Sequence, residues 1–148
     1  MTRGRAGVTC VEDRLQEAVP ETVRYLLGAG MHVWILTGDK LETAVTVAYA
    51  SGIVDASMAL ALVDGSDWAA VGPQLEAAAA LPAQAGGKAL IIGGAALGLA
   101  REQGLEGLVG LCRTCGVVVC ARCAPAQKAE MVQLVMRRLG KVRHVPPP

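Results

Sequence analysis

The chain has 148 residues, of which 53% are hydrophobic and 3% aromatic, a composition that suits a core of Val, Leu, Ala and Ile. Fourteen basic against thirteen acidic residues leave a formal net charge of +1, which gives no reason to expect a nucleic acid or an anionic membrane as partner. The longest apolar run, residues 89–100, falls short of the roughly 20 residues of a membrane span. The isolated chain is therefore expected to be soluble, with no transmembrane helix.

The first predicted helix covers residues 15–27, where apolar side chains recur at helical spacing. Pro20 lies inside this pattern and is expected to start its regular part, because proline is tolerated in a first turn and disfavoured later. Gly28 and Gly30 indicate the end of the helix.

A buried strand is predicted for residues 31–36, which are almost wholly apolar, and it leads into the polar turn Thr37-Gly38-Asp39-Lys40. A helical pattern follows over residues 41–49. A strand buried on both faces and flanked by helices is typical of an α/β domain with a parallel sheet. Ligands of such sheets bind where strands end, so the polar turn becomes a candidate site.

Residues 55–87 are rich in turn formers and alanine and predict a surface connection that carries one short helix. A second strand is predicted for residues 89–92, closed by Gly93-Gly94. These glycines and Gly98 lack the spacing of a dinucleotide-binding loop, and we assign them to turns and close packing.

A third strand is predicted for residues 116–120, followed by Pro125 and a helix over residues 127–139. The three prolines at residues 146–148 cannot continue a helix and make a poor central strand. The fold is therefore expected to be cut off at this end.

The polar turn after the first strand has a plausible chemistry. The Thr37 hydroxyl and free backbone N–H groups at a strand end can hold phosphate oxygens, helped by the positive end of the following helix. Asp39 could orient a hydroxyl, a water or a metal-bound phosphate. The alternative is an ordinary turn, since Thr, Gly and Asp are common turn residues.

Two Cys-x-x-Cys pairs, Cys112 with Cys115 and Cys120 with Cys123, resemble a four-thiolate zinc site. A run of valines separates the pairs and favours an extended strand, which would place Cys112 and Cys120 about 26 Å apart. We therefore expect no metal site, but free and mostly buried thiols in a reducing compartment.

Two cations lie near the end of the third predicted strand. Arg122 follows the strand, and Lys128 lies in the first turn of the next helix, where the helix dipole opposes a positive charge. A nearby phosphate would explain both positions. The alternative is a surface Arg and a Lys whose stem packs on the protein while its ammonium reaches water.

Taken in order, three stretches resemble the P-type ATPases and, within them, the phospholipid-transporting flippase branch. They are residues 11–22, residues 34–44 and residues 119–129. The string Thr-Gly-Asp-Lys-x-Glu-Thr-Ala from Thr37 to Ala44 is the most specific of them. The resemblance covers about residues 7–142 and leaves residues 143–148 unmatched.

The resemblance implies that residues 1–148 are part of a cytoplasmic phosphorylation domain with an incomplete haloacid-dehalogenase-like, Rossmann-like α/β fold. It implies an ATP-driven phospholipid translocase that uses ATP and Mg²⁺ and forms an aspartyl phosphate. The implied partners are the nucleotide-binding, actuator and transmembrane domains of the same ATPase, its phospholipid substrate and an accessory subunit. The segment would lie on the cytoplasmic side of the membrane.

The resemblance also implies roles for individual residues. Thr37, Gly38, Asp39 and Arg122 would contact the nucleotide or the transferred phosphoryl group. Lys128 would neutralise charge on the aspartyl phosphate, so that Thr37 and Lys128 are the implied catalytic contacts. Such phosphoryl transfer works by positioning and electrostatics, with the aspartate as the covalent participant.

Asp13 and Gln16 would lie at the hinge to the nucleotide-binding domain. The chain departs from the family in three places: it contains no Asp-Lys-Thr-Gly-Thr nucleophile motif, no magnesium-binding Gly-Asp-Gly-x-Asn-Asp, and has Gly93-Gly94 where the family often has Asp-Gly. No metal ligands are therefore assigned, and the isolated chain is expected to be inactive. Its ends resemble those of a truncated or alternatively spliced product, or of a faulty gene model.

Two alternatives remain beside this interpretation. One is a non-catalytic fragment that binds a nucleotide, or binds a partner through an exposed sheet edge. The other is a haloacid-dehalogenase-type phosphatase, which uses the same Thr and Lys positions but also needs an Asp-x-Asp pair that the sequence lacks.

Overall fold

The computed structural model describes residues 14–139, apart from the side chains of residues 104, 105, 138 and 139. Strands and helices alternate along this part of the chain. They are α1 (Val19–Gly28), β1 (Val33–Leu36), α2 (Leu41–Ala50), β2 (Ala59–Val63), α3 (Trp68–Ala80), β3 (Lys88–Gly93), α4 (Gly94–Thr114), β4 (Val117–Ala121), α5 (Pro125–Leu134) and a π-helical continuation, Val135–Leu139.

The four strands form one parallel sheet in the order β1-β4-β3-β2. The register pairs Leu36 with Cys120 across β1 and β4, and Gly93 with Ala121 across β3 and β4. All strands therefore end on the same side, which we call the carboxyl end of the sheet. The predicted α/β fold with a parallel sheet is confirmed.

Helices cover both faces of the sheet, and this explains the continuous apolar runs of the inner strands. Every residue of β3 and β4 is buried. Along β4, Val118 and Cys120 belong to the core cluster shared with α3, α4 and α5, whereas Val117 and Val119 belong to the cluster shared with α1 and α2.

Several predicted elements are confirmed within a few residues. Helix α1 has Pro20 in its first turn and ends at Gly28, and Gly30 follows with a left-handed φ of 77°. The helix predicted for residues 127–139 begins slightly earlier, at Pro125, and becomes π-helical from Val135.

Residues 55–87 hold more than the predicted surface connection with one short helix. They contain the edge strand β2, whose residues Ala59, Ala61 and Val63 are buried, and the 13-residue helix α3. The prediction missed β2 because small alanines at its buried positions give a weak alternating pattern.

Helix α4 was also missed, since its glycines were assigned to turns. It runs for 21 residues from Gly94, and Gly98 lies within it. The assignment of Gly93-Gly94 to the end of the preceding strand is confirmed, because β3 ends at Gly93. Among the described residues, no helix is both long and apolar enough to cross a membrane.

Strand β1 lies at one edge of the sheet, where its four half-buried residues pair with β4. An apolar edge strand is a template for pairing with a further strand. We therefore expect marginal stability or self-association of the chain, visible in light scattering as an average mass that rises with concentration. A monomer at all concentrations with a sharp cooperative melt would contradict this expectation.

Candidate functional site

The loops that follow β1 and β4 are joined by backbone hydrogen bonds at the carboxyl end of the sheet. Thr37 N–H donates to Cys120 O at 2.9 Å, Cys123 N–H to Thr37 O at 2.9 Å, and Arg122 N–H to Asp39 O at 2.8 Å. The three bonds extend the β1–β4 pairing past the ends of both strands. They fix the polar turn beside Arg122, although the two segments are far apart in sequence.

Within the polar turn, the Thr37 hydroxyl both donates and accepts a hydrogen bond. Thr37 Oγ1 donates to Asp39 Oδ2 at 2.6 Å and accepts from Asp39 N–H at 3.1 Å. The Thr37 residue is half-buried, whereas Gly38 and Asp39 are exposed. A phosphoryl oxygen that approached Thr37 would therefore compete with the Asp39 carboxylate for the hydroxyl proton.

Arg122 adopts a left-handed backbone conformation, with φ of 52°, which is uncommon for a residue other than glycine. Its carbonyl lies against the start of α4, where a Cβ added at Gly94 would come within 2.4 Å of Arg122 O. The absence of a side chain at Gly94 thus allows the β4 loop to take this path. The Arg122 side chain is exposed beside the polar turn.

The first turn of α5 faces the same end of the sheet. Gln127 Oε1 accepts from Ala124 N–H at 3.0 Å, and Gln127 Nε2 donates to Gly94 O at 2.8 Å, so this side chain joins α5 to the β3–α4 junction. Lys128 is half-buried, and its positive charge acts on the Cys123 thiol, where it helps to lower the pKa. The sequence predicts no role for Gln127, because no motif marks such a bridge.

The candidate phosphate contacts are thus gathered at one end of the sheet, as the parallel fold requires. Lys128 lies where the α5 dipole is positive, so its charge is unfavourable there unless an anion is bound nearby. A phosphate group fits this donor set, since hydroxyl, backbone N–H and cationic side chains all donate to anionic oxygen. In residues 14–139, no three or more His, Cys, Asp or Glu side chains are grouped to hold a metal ion.

Comparison with curated proteins gives phospholipid-transporting ATPases from distant organisms. One from Schizosaccharomyces pombe is 35% identical over 147 residues, covering 92% of this chain and 11% of the relative. Phospholipid-transporting ATPase VD of Macaca fascicularis is 39% identical over 144 residues, covering 90% of this chain and 21% of the relative. Phospholipid-transporting ATPase 1 of Arabidopsis thaliana is 37% identical over 137 residues, covering 89% and 12%.

The chain belongs to the phospholipid-transporting P-type ATPases. It spans between a tenth and about a fifth of the length of these relatives. These relatives confirm the family resemblance inferred from the three motif stretches. No protein-family model matches the sequence.

In this ATPase segment, the four described cysteines are free and buried, as predicted. The expected 26 Å separation of Cys112 and Cys120 is wrong. The chain turns back between α4 and β4, so both thiols belong to one core cluster. A separation of 26 Å requires the whole stretch to be extended, whereas Cys112 lies on a helix.

The predicted hinge residues lie before α1. Gln16 is exposed, and its carbonyl accepts from Val19 N–H at 3.4 Å. Asp13 lies outside the described residues. The hinge assignment stays a prediction.

Asp64, which follows β2, is a further carboxylate at the carboxyl end of the sheet in this ATPase segment. A Cβ added at Gly93 would come within 2.1 Å of Asp64 Oδ1, so the carboxylate fills the space that a side chain at Gly93 would need. Gln74 holds the Asp64 backbone with two hydrogen bonds of 2.9 Å. The sequence pattern does not predict this contact, because it depends on β2, which carries Asp64 to its place.

Proposed function

We propose that this chain is the part of an ATP-driven phospholipid translocase that holds the nucleotide phosphates and the transferred phosphoryl group. Relatives named as phospholipid-transporting ATPases support the transport function. The observation that carries the site assignment is the set of backbone hydrogen bonds that fixes Thr37, Gly38 and Asp39 beside Arg122.

Each candidate residue has a distinct role in this proposal. The Gly38 N–H donates to a phosphoryl oxygen, and the Thr37 hydroxyl donates to another once the phosphoryl group displaces the Asp39 carboxylate, which accepts the hydroxyl proton at 2.6 Å in the structure. The exposed Arg122 guanidinium binds phosphate oxygens through its planar pair of donors. The Lys128 ammonium neutralises the negative charge that builds up during transfer.

ATP would supply the phosphoryl group, and Mg²⁺ would neutralise phosphate charge. The residues at the carboxyl end suit the phosphates better than the metal, since no metal-binding group of side chains is found in residues 14–139. The ligands for Mg²⁺ would come from other parts of the ATPase. Those parts include the nucleotide-binding domain, reached through a hinge at Asp13 and Gln16, the actuator and transmembrane domains, and an accessory subunit. The segment would lie on the cytoplasmic side of the membrane.

The 148-residue chain is proposed to bind ATP without transferring its phosphate. An Asp-Lys-Thr-Gly-Thr motif, which would supply the covalent nucleophile, is not in the sequence, and neither is Gly-Asp-Gly-x-Asn-Asp. Positioning groups alone stabilise a transition state but cannot accept a phosphoryl group.

The test combines binding and transfer in one sample. Equilibrium dialysis with [γ-³²P]ATP and Mg²⁺ measures bound nucleotide, and an acid quench of the same sample measures label fixed to protein. We expect saturable binding and no acid-stable label. Fixed label on this chain would contradict the proposed inactivity, and no binding would contradict the phosphate site.

A small phosphomonoester added to the same assay distinguishes a phosphatase from a segment that only binds ATP. Steady release of inorganic phosphate, lost in Lys128→Ala, would favour a phosphatase of the haloacid-dehalogenase type. If neither ATP binding nor phosphomonoester hydrolysis is observed, the remaining interpretation is a partner-binding segment, which the edge position of β1 favours.

A further inference from the structure

The first turn of α5 is held to the rest of the fold by polar contacts more than by apolar packing. Pro125 and Ala126 are exposed, and the first buried residue of α5 is Met131, in its second turn. A groove of about 650 Å³ lies between this part of α5 and α4, and Gln127 lines it. Close apolar packing therefore does not fix the first turn, which carries Lys128.

Gln127 makes two polar contacts, one within the helix and one to α4. Its Oε1 accepts from Ala124 N–H at 3.0 Å, and its Nε2 donates to Gly94 O at 2.8 Å. Alanine has no side-chain oxygen to cap a helix, so Gln127 supplies the part of a capping box that remains. Ala124 O in turn accepts from Lys128 N–H at 3.1 Å. Ala124 therefore links the position of Gln127 to that of Lys128.

Gly94 is a well-fixed anchor for this bridge. It is the first residue of α4 and directly follows β3, every residue of which is buried. A Cβ added at Gly94 would lie 2.4 Å from Arg122 O, so Gly94 also contacts the loop after β4. Gln127 thus joins the first turn of α5 to the point where the fold holds the backbone of Arg122.

A second polar link between the same two helices is weaker. Arg101 Nη1 and Glu130 Oε2 lie 2.5 Å apart, but both side chains are close to half exposed. Exposed ion pairs of this kind contribute little to stability. The partly buried bridge of Gln127 is therefore the contact that fixes the start of α5 against α4.

We propose that Gln127 is a positioning residue for phosphate binding. Its bridge to Gly94 O holds the first turn of α5, so the backbone from which the Lys128 side chain extends is in place before ATP binds. Ordering a segment during binding costs free energy, and a segment that is already ordered avoids this cost. The inference rests on the proposed phosphate site and adds to it a residue that acts through Lys128.

The test compares Gln127→Met with Gln133→Met in the full chain. Methionine is similar in length to glutamine but forms neither hydrogen bond, and Gln133 is an exposed glutamine on the same helix. Calorimetric titration measures ATP affinity, and circular dichroism checks folding. We expect Gln127→Met to weaken ATP binding by about 3- to 10-fold. Gln133→Met should change ATP affinity by less than about twofold.

Adding Lys128→Ala to each protein distinguishes positioning from general stabilisation. If Gln127 acts through Lys128, Gln127→Met should change ATP affinity by less than about twofold once residue 128 is alanine. Equal losses of affinity with and without Lys128 would overturn this inference while leaving the phosphate site in place. If the unsubstituted chain binds no ATP, the proposed function is wrong and this inference fails with it.

A measurement on the unsubstituted chain tests the bridge directly. A Cβ added at Gly98 would lie 3.7 Å from Gln127 Nε2, so the side-chain amide of Gln127 lies close to the backbone of Gly98. We expect nuclear Overhauser effects between the amide protons of Gln127 and the α protons of Gly98, both without and with ATP. Their absence from the ATP-free chain would overturn the proposal, even where a variant fails to fold.

Discussion

Gly94→Ala is expected to destabilise the fold by about 2–3 kcal/mol, a large effect for the addition of one methyl group. The added Cβ would lie 2.4 Å from Arg122 O and 3.0 Å from Arg122 C, and both are backbone atoms that cannot rotate away. The loop after β4 would have to move, together with the Gln127 hydrogen bond to Gly94 O. Denaturant unfolding followed by circular dichroism measures the change in free energy.

Gly98→Ala is the matched control on the same helix. Its nearest atom would be Gln127 Nε2 at 3.7 Å, an ordinary contact. Alanine is a better helix former than glycine, so this variant should gain about 0.5–1 kcal/mol. If both variants were stabilised, the close approach of α4 to the Arg122 loop would be wrong.

Lys128→Ala is expected to weaken ATP binding by about 10- to 100-fold. A charge-assisted hydrogen bond contributes about 1.5–3 kcal/mol, and 1.4 kcal/mol corresponds to a factor of ten. The loss of affinity should be at the upper end of this range because Lys128 is half-buried and lies in the first turn of α5. Isothermal titration calorimetry at moderate salt measures the affinity of both proteins.

Arg137→Ala is the control for a loss of net charge. Arg137 is an exposed cation about 13 Å further along the same helical segment, beyond the screening length of about 8–10 Å. Its loss should change ATP affinity by less than about twofold. Equal losses of ATP affinity in both variants would mean that binding depends on the overall charge of the protein. No loss in Lys128→Ala would remove the argument for a phosphate contact at this residue.

The sequence predicted those parts of the fold that follow from local pattern. An apolar run ending in Thr37-Gly38-Asp39 indicated a buried strand with a polar turn, and the valines of residues 117–119 indicated another. The parallel arrangement then required their carboxyl ends to meet. The neighbouring positions of β1 and β4 could not be predicted, because they depend on packing between distant segments rather than on local pattern.

The missed features share a physical cause. The glycines at the start of α4 predicted turns rather than a helix. Gly94 is favoured there because Arg122 O lies so close, and Gly98 is tolerated because packing stabilises the helix. The path of the loop after β4 was missed for a related reason. It depends on the left-handed backbone at Arg122, which the residue type at that position does not predict.

The most direct test of the phosphate site is an ATP titration of the ¹⁵N-labelled chain followed by amide NMR. We predict that the largest chemical-shift changes will fall on Gly38, Asp39, Arg122 and Lys128. The amide of Gly110 should change little, because it lies near the other end of α4, away from the carboxyl end of the sheet. No shifts at millimolar ATP, or the largest shifts away from the carboxyl end, would contradict the assignment of this end as the phosphate-binding site.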